Sequence, residues 1–187
     1  MKTLGKSLLG ILALLVVAIG ILYVISPDAT TVHIETEIDA PAEEVWAALA
    51  HEFAEIDKWS STVESSRVAD ANEVPSGWTI DPDAPIAGRE TASPAGTFRE
   101  FFIDYSEEEM DFTFRADGLP SIITKMTDRQ QVIPLDENRS KVTFDVEMQA
   151  SGIFKALGPI LSSRFASTFG LVQEELKAYV ESGQAAQ

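Results

Sequence analysis

Apolar and polar residues alternate along TVHIETEI, residues 31–38. Val32, Ile34, Thr36 and Ile38 share one face, and His33, Glu35 and Glu37 share the other. That period of two predicts a half-buried strand. The period changes in DAPAEEVWAALAHEFAEIDKW, residues 39–59, where Trp46, Leu49, Phe53 and Ile56 recur every three or four positions. This spacing predicts one or two short helices with a single apolar face. Pro41 suits a first helical position, where its missing N–H would be unpaired anyway. Glu43 and Glu44 suit the first turn, where the helix dipole favours negative charge.

A second strand is expected in STVESSRVAD. A long loop follows from Asn72 to Pro85, carrying three prolines and Trp78. From Gly88 only strands are predicted: 88–93, 97–105, 109–116, 122–133 and 141–150. The final stretch returns to helical spacing at Phe154, Leu157, Leu161, Phe165, Phe169, Val172, Leu176 and Tyr179, with Pro159 at the start of the helix or at a kink.

The strand registers follow from turns and cross-strand charges. A turn at Glu107-Glu108 pairs Tyr105 with Met110, Ile103 with Phe112, Phe101 with Phe114 and Arg99 with Ala116. It opposes Glu100 to Arg115 on the outer face. A turn through Gly118-Leu119-Pro120 pairs Phe114 with Thr124, Phe112 with Met126 and Met110 with Asp128. A turn near Asn138 pairs Val132 with Phe144, Gln130 with Val146 and Asp128 with Met148, with Arg129 opposite Glu147 outside. On this scheme one concave face collects Phe101, Ile103, Phe112, Phe114, Met126, Phe144, Val146 and Met148. Leu161, Phe165 and Phe169 of the long helix cover it. Such a wide Phe- and Met-rich surface is adaptable to apolar ligands.

The chain's front differs in kind. Leu8 to Ile25 runs eighteen residues without a charge, after Lys2 and Lys6 and before Pro27 and Asp28. As a helix it reaches about 27 Å, close to the roughly 30 Å hydrocarbon core of a bilayer. The flanking lysines predict a cytoplasmic N-terminus and a domain on the extracytoplasmic side of the cytoplasmic membrane. A cleaved signal peptide ending at Ala18-Ile19-Gly20 is the alternative, although five apolar residues follow that site. Net charge is −16; with Lys2 and Lys6 set aside, the folded part carries about −18. That surface disfavours nucleic acid and anionic lipid heads. The chain has no Cys and two His, so neither a disulfide framework nor a metal site is expected. No glycine-rich phosphate loop or serine nucleophile elbow occurs, and no cofactor is expected.

The segments IDAPAEEVWAAL with Trp59 after it, AGRETASPAGTFREFF, DFTFRADGLP, SKVTFDVEM and LGPILSSRFASTFGLVQEELKAYV, in this order and spacing, resemble the START-like or SRPBCC superfamily of polyketide cyclase/dehydrase and lipid-transport domains. The resemblance spans about Thr31 to Ser182. It implies an α+β helix-grip fold: a seven-stranded curved antiparallel sheet around the long C-terminal helix, with two short helices after the first strand and an apolar cavity between sheet and helix. The N-terminal transmembrane helix is an addition to that pattern. The expected organisation is a cytoplasmic N-terminus (1–7), the anchor (8–25), a linker (26–30), the START-like domain (31–183) and a tail (184–187).

Members of such a superfamily bind hydrophobic ligands or act on them by cyclisation, dehydration or hydrolysis, the latter needing an acid or base of tuned pKa in the cavity. The concave-face polar candidates are Arg99, Tyr105, Thr124, Asp128 and Gln130. Asp128 and Tyr105, about 10 Å apart on this register, are the candidate catalytic groups. Arg99 opposite small Ala116 is a candidate anion site, with Glu90 as its structural alternative. Arg89 matches an arginine common at this place in similar sequences, and periodicity does not assign its face. His33 points outward, and His51 sits at the junction of the short helices. Trp59 and Trp78 are candidates for the cavity mouth, expected near the 72–85 loop and the N-terminal end of the long helix; Trp46 reads as core. The expected function is a membrane-anchored domain that binds a lipid or other hydrophobic small molecule. The alternatives are an enzyme of cyclase, dehydratase or hydrolase type and a packed adaptor for a membrane partner, which would have a filled cavity.

Overall fold

The computed structural model describes residues 2–183, and of residues 2–10, 12, 13, 15 and 153 the backbone only. The charge-free segment forms most of helix α1 (Lys2–Ile25). Among the residues described down to their side chains, no helix is long and apolar enough to cross a membrane. Six side chains of the expected Leu8–Ile25 anchor (8, 9, 10, 12, 13 and 15) therefore lie outside the described ones, and the 184–187 tail lies outside the described residues.

The alternating segment is β1 (Ala29–Ile38), and the helical one is α2 (Ala42–Trp46). α2 runs on through a wide turn at Ala47–His51 and a tighter one at Phe53–Lys58. Pro41 stands one residue earlier than expected, at the helix cap. Six strands follow: β2 (Ser65–Ala69), β3 (Gly88–Ser93), β4 (Gly96–Ser106), β5 (Asp111–Asp117), β6 (Ile123–Asp136) and β7 (Arg139–Ala150). The chain closes with α3 (Gly158–Glu181), which has Pro159 in its first turn, where proline fits without a kink. All seven strands form one antiparallel sheet in the order β1-β7-β6-β5-β4-β3-β2.

The helix α3 is fixed to edge strand β1 by a buried amide. Gln173 is fully buried; it accepts from Thr36 Oγ1 at 2.8 Å and donates to the Ile34 carbonyl at 3.2 Å. Both polar groups of the side chain are thereby satisfied, which removes the penalty of burying it. Under α2 the sheet is filled with rings: Phe53 lies 4.3 Å from Phe102 between centroids, and Phe112 packs edge-on to Phe102 at 5.1 Å. Trp46, Tyr105 and Phe112 continue this cluster.

The registers depart from those expected in three places. β4 and β5 are offset by two beside their turn, with Tyr105 opposite Phe112, and by one beyond a bulge at Ile103, with Phe102 opposite Phe114 and Arg99 opposite Asp117. Phe102 therefore faces the core, while Ile103 is half exposed and Phe101 lies on the outer face beneath Trp78. β5 and β6 are offset by four, with Phe114 opposite Asp128, because residues 118–122 form a loop rather than a tight turn. β6 and β7 are offset by two, with Gln130 opposite Phe144, around a turn in which Asp136 accepts from the Asn138 N–H at 3.0 Å and from Arg139 at 2.8 Å. Even offsets preserve the face of every side chain and an odd one reverses it. Glu100 therefore points inward, not outward opposite Arg115.

Gly88 permits a close backbone approach between β3 and β4: a Cβ there would overlap the Glu100 carbonyl. Gly88→Ala is expected to destabilise the domain by about 1–3 kcal/mol, as overpacked sites do. Urea unfolding of the variant against wild type checks this, and an unchanged midpoint would refute it.

Candidate functional site: a cavity between sheet and helix

The rings under α2 fill only one half of the concave face. Over the other half the sheet and α3 stand apart around a cavity of about 460 Å³. That volume lies within the usual range for small-molecule sites, about 300–1,000 Å³. Phe114, Met126 and Phe144 form the sheet side, and Phe165, Phe169 and Val172 form the helix side. Leu49, Ile56 and Trp59 close it from the short helical turns after β1. The rim is made by Pro94 and Ala95 of the β3–β4 turn, Leu119 and Pro120 of the β5–β6 loop, and the exposed Arg164 and Thr168 of α3.

The polar part of the wall is a built structure. Arg89 on β3 is buried, and its guanidinium is paired with Glu100 directly opposite on β4. It also donates to the Phe53 carbonyl at 2.8 Å and stacks 3.9 Å above the Phe53 ring. Gln130 on β6 completes this polar patch and donates to the Asp128 carboxyl at 2.7 Å. Asp128 itself is fully buried behind Gln130, and its second oxygen has no partner among the described residues. Burial pushes its pKa up to about 8. The Gln130 hydrogen bond opposes the shift, Glu100 adds to it and Arg89 opposes it. At neutral pH this carboxyl is a neutral acid.

Of the residues expected at the site, the structure brings together Phe114, Met126, Gln130, Phe144, Phe165, Phe169 and Trp59 on the cavity wall. It places others elsewhere. Phe112 is in the ring cluster under α2, and Val146 is buried in a second apolar cluster with Met148. Met148 and Leu161 border a separate small hollow beneath the start of α3. Arg99 lies on the outer face and is paired with Asp117 at 2.7 Å, so it is not an anion site in the cavity. Phe101 and Trp78 share that outer face, where the Trp78 ring also covers Arg115. The 72–85 loop therefore does not form the mouth, and Ile103 is displaced by the bulge. Thr124 is exposed.

Tyr105 is buried among rings, and its hydroxyl donates to Glu107; burial and then that bond push its pKa well up. It does not line the cavity. His33 pairs outward with Asp145 at 2.7 Å, and His51 with Glu107 at 2.9 Å.

Sequence reasoning missed Arg89 and Glu100 as a pair. A symmetric turn at Pro94-Ala95 would have opposed them, since Ser93 pairs with Gly96. The rim loop 118–122 carried no comparable signal.

Comparisons with known proteins agree with this geometry. Residues 29–181 match the family model described as polyketide cyclase / dehydrase and lipid transport. Among solved structures, a START superfamily protein from Mycobacterium smegmatis superposes with a TM-score of 0.62 at 14% identity, covering 82% of this chain and 98% of that one. A norcoclaurine synthase point mutant from Thalictrum flavum, in complex with a transition-state analogue, gives 0.58 at 14% identity, covering 83% and 96%. A protein from Thermobifida fusca gives 0.56 at 21% identity, covering 81% and 91%. No curated protein matches the sequence. At these identities the structural likenesses concern the fold.

Raising the folded pKa of Asp128 above its unfolded value means the native state holds a proton that the unfolded state has lost. Stability is then lost as pH rises from about 4 to about 8, by up to about 1.4 kcal/mol per pH unit. Asp128→Asn, which keeps the acceptor for Gln130, is expected to be more stable than wild type at pH 8 and nearly equal at pH 4. Thermal melts across this range test it; a difference that does not grow with pH would refute the neutral-acid assignment.

Proposed function

The chain belongs to the polyketide cyclase/dehydrase and lipid transport family, and from that premise we propose that it holds a lipid or other hydrophobic small molecule in the cavity between the sheet and α3. The observation that carries this reading is the unfilled volume of about 460 Å³ behind an apolar wall. A packed adaptor domain would have that space occupied by side chains. Binding is driven by removing the ligand's apolar surface from water. Orientation comes from the Gln130 amide oxygen, since its amide N–H is given to Asp128. Because Glu100 neutralises Arg89 inside the cavity, the deep end suits a neutral hydroxyl or carbonyl better than a carboxylate.

The same pairing argues against turnover. Among the described wall residues Glu100 is the carboxylate that faces the cavity, and it is committed to Arg89; Asp128 stands behind Gln130.

The reading extends to location. The uncharged Leu8–Ile25 run, which is helical, anchors the chain as a single span, and Lys2 and Lys6 keep its N-terminus inside. The domain then stands on the extracytoplasmic side, close to lipids as ligands.

Native mass spectrometry of the full chain purified from its own host tests the proposal. A discrete bound hydrophobic mass is expected, and it should be lost from Ala116→Phe, which fills the cavity from β5. An empty wild-type protein, or an Ala116→Phe variant that carries the same mass, would overturn it.

A further inference from the structure

In this antiparallel sheet the start of β1, the end of β7, the start of β6, the end of β5, the start of β4 and the end of β3 all fall at one end. The cavity rim is at that end, since it is built from the β3–β4 turn, the β5–β6 loop and the first half of α3. Helix α1 joins the domain there too. Only Ser26, Pro27 and Asp28 separate Ile25 from β1, a reach of no more than about 14 Å. The mouth of the cavity and the attachment of the apolar helix therefore share one end of the molecule.

Charge divides along the same axis. The chain has 30 acidic residues, yet the connections at the mouth end are nearly free of them. Pro94-Ala95 and residues 118–122 carry no charge, and residues 151–160 carry only Lys155. In α3 the first acid is Glu174, and Arg164 is the charged residue before it. Acids that do lie near this end are paired: Asp28 with Lys155, Asp117 with Arg99, and Glu147 with Lys125. The exception is Glu64, just before edge strand β2. The opposite end carries Asp39, Glu107, Glu108, Glu109, Asp136 and Glu137 in its turns. The mouth end is also where large apolar side chains stand in the open, with Phe154 40% exposed, Leu157 41% and Ile160 60%.

We propose that the mouth end of the domain is a membrane-contact surface, seated on the bilayer that holds α1, through which a hydrophobic ligand passes between the lipid leaflet and the cavity without crossing water. This rests on the anchor reading above. Exposed Phe, Leu and Ile together with the exposed Arg164 form the composition that settles at a lipid interface. Removing acids from that end lifts the repulsion that the net charge would otherwise impose near anionic headgroups. The acidic end faces away into water.

The absence of native cysteine makes the test direct. The full chain is reconstituted in phosphatidylcholine vesicles with one cysteine at a time, Ala95→Cys or Leu157→Cys at the mouth end and Glu108→Cys or Glu137→Cys at the other, each carrying an environment-sensitive fluorophore. The expected result is blue-shifted emission at the first pair, more than halved when the lipids carry brominated tails, and no change at the second pair. Washing the vesicles with alkaline carbonate reads the anchor separately. A chain that resists the wash while all four labels report water overturns the contact surface and leaves the anchor standing. A chain that is washed off, but whose mouth-end labels are quenched beforehand, does the reverse. A chain that is washed off with all labels in water overturns both. Mouth-end labels shielded from water but unaffected by brominated lipid would assign the surface to a second copy of the chain and overturn the proposal.

Discussion

A buried guanidinium cannot be left without partners, and the arrangement of this domain around Arg89 follows from that constraint. Glu100 is held opposite it by the β3–β4 pairing. The Phe53 carbonyl is brought to it by the tight turn after α2, and the Phe53 ring lies beneath it. One side chain thus ties two neighbouring strands to the short helical layer. Gly88 permits the strand contact that brings the pair together. Were any one of these partners absent, the ion pair would be a buried liability rather than a wall of the cavity.

The concave face is consequently divided in two. On the side of α2, Trp46, Phe102, Tyr105 and Phe112 fill the space between layers. On the side of the β3–β4 turn Phe114 and Phe144 line the sheet without filling the space, and α3 spans the gap with Phe165 and Phe169 stacked 6.1 Å apart. The Arg89–Glu100 pair and Gln130 line the cavity wall between sheet and helix. Empty volume persists because the rings that would fill it are spent elsewhere: Phe101 on the outer face and Phe112 under α2.

Most of the element order was legible in the chain, because a period of two and a period near 3.6 are hard to confuse over eight or more residues. The strands from β3 to β7 and the long helix lie within a few residues of the alternation and spacing that announce them. The cavity wall was legible where strand offsets were even, as at Phe114, Met126, Gln130 and Phe144. It was not legible in β4, where adjacent Phe101 and Phe102 present equal claims to the core and the bulge that decides between them leaves no compositional mark. Arg99 and Glu100 exchanged faces for that reason. Trp78 misled in another way: a ring in a proline-rich loop can cover either side of a sheet, and only the folded path of residues 72–85 chooses the outer one.

The bulge at Ile103 makes β4 a ruler with two phases. Before it, residues of even number face the core, as Glu100 and Phe102 do; after it, those of odd number do, as Tyr105 does. A chain of this family that gained or lost one residue in β4 without moving the bulge would exchange its solvent and core faces on one side of the insertion. Length in this strand is therefore under tighter constraint than identity. Drift among relatives should run through substitution in β4 and through insertion in the turns, so that the position of the bulge outlasts the residues on either side of it.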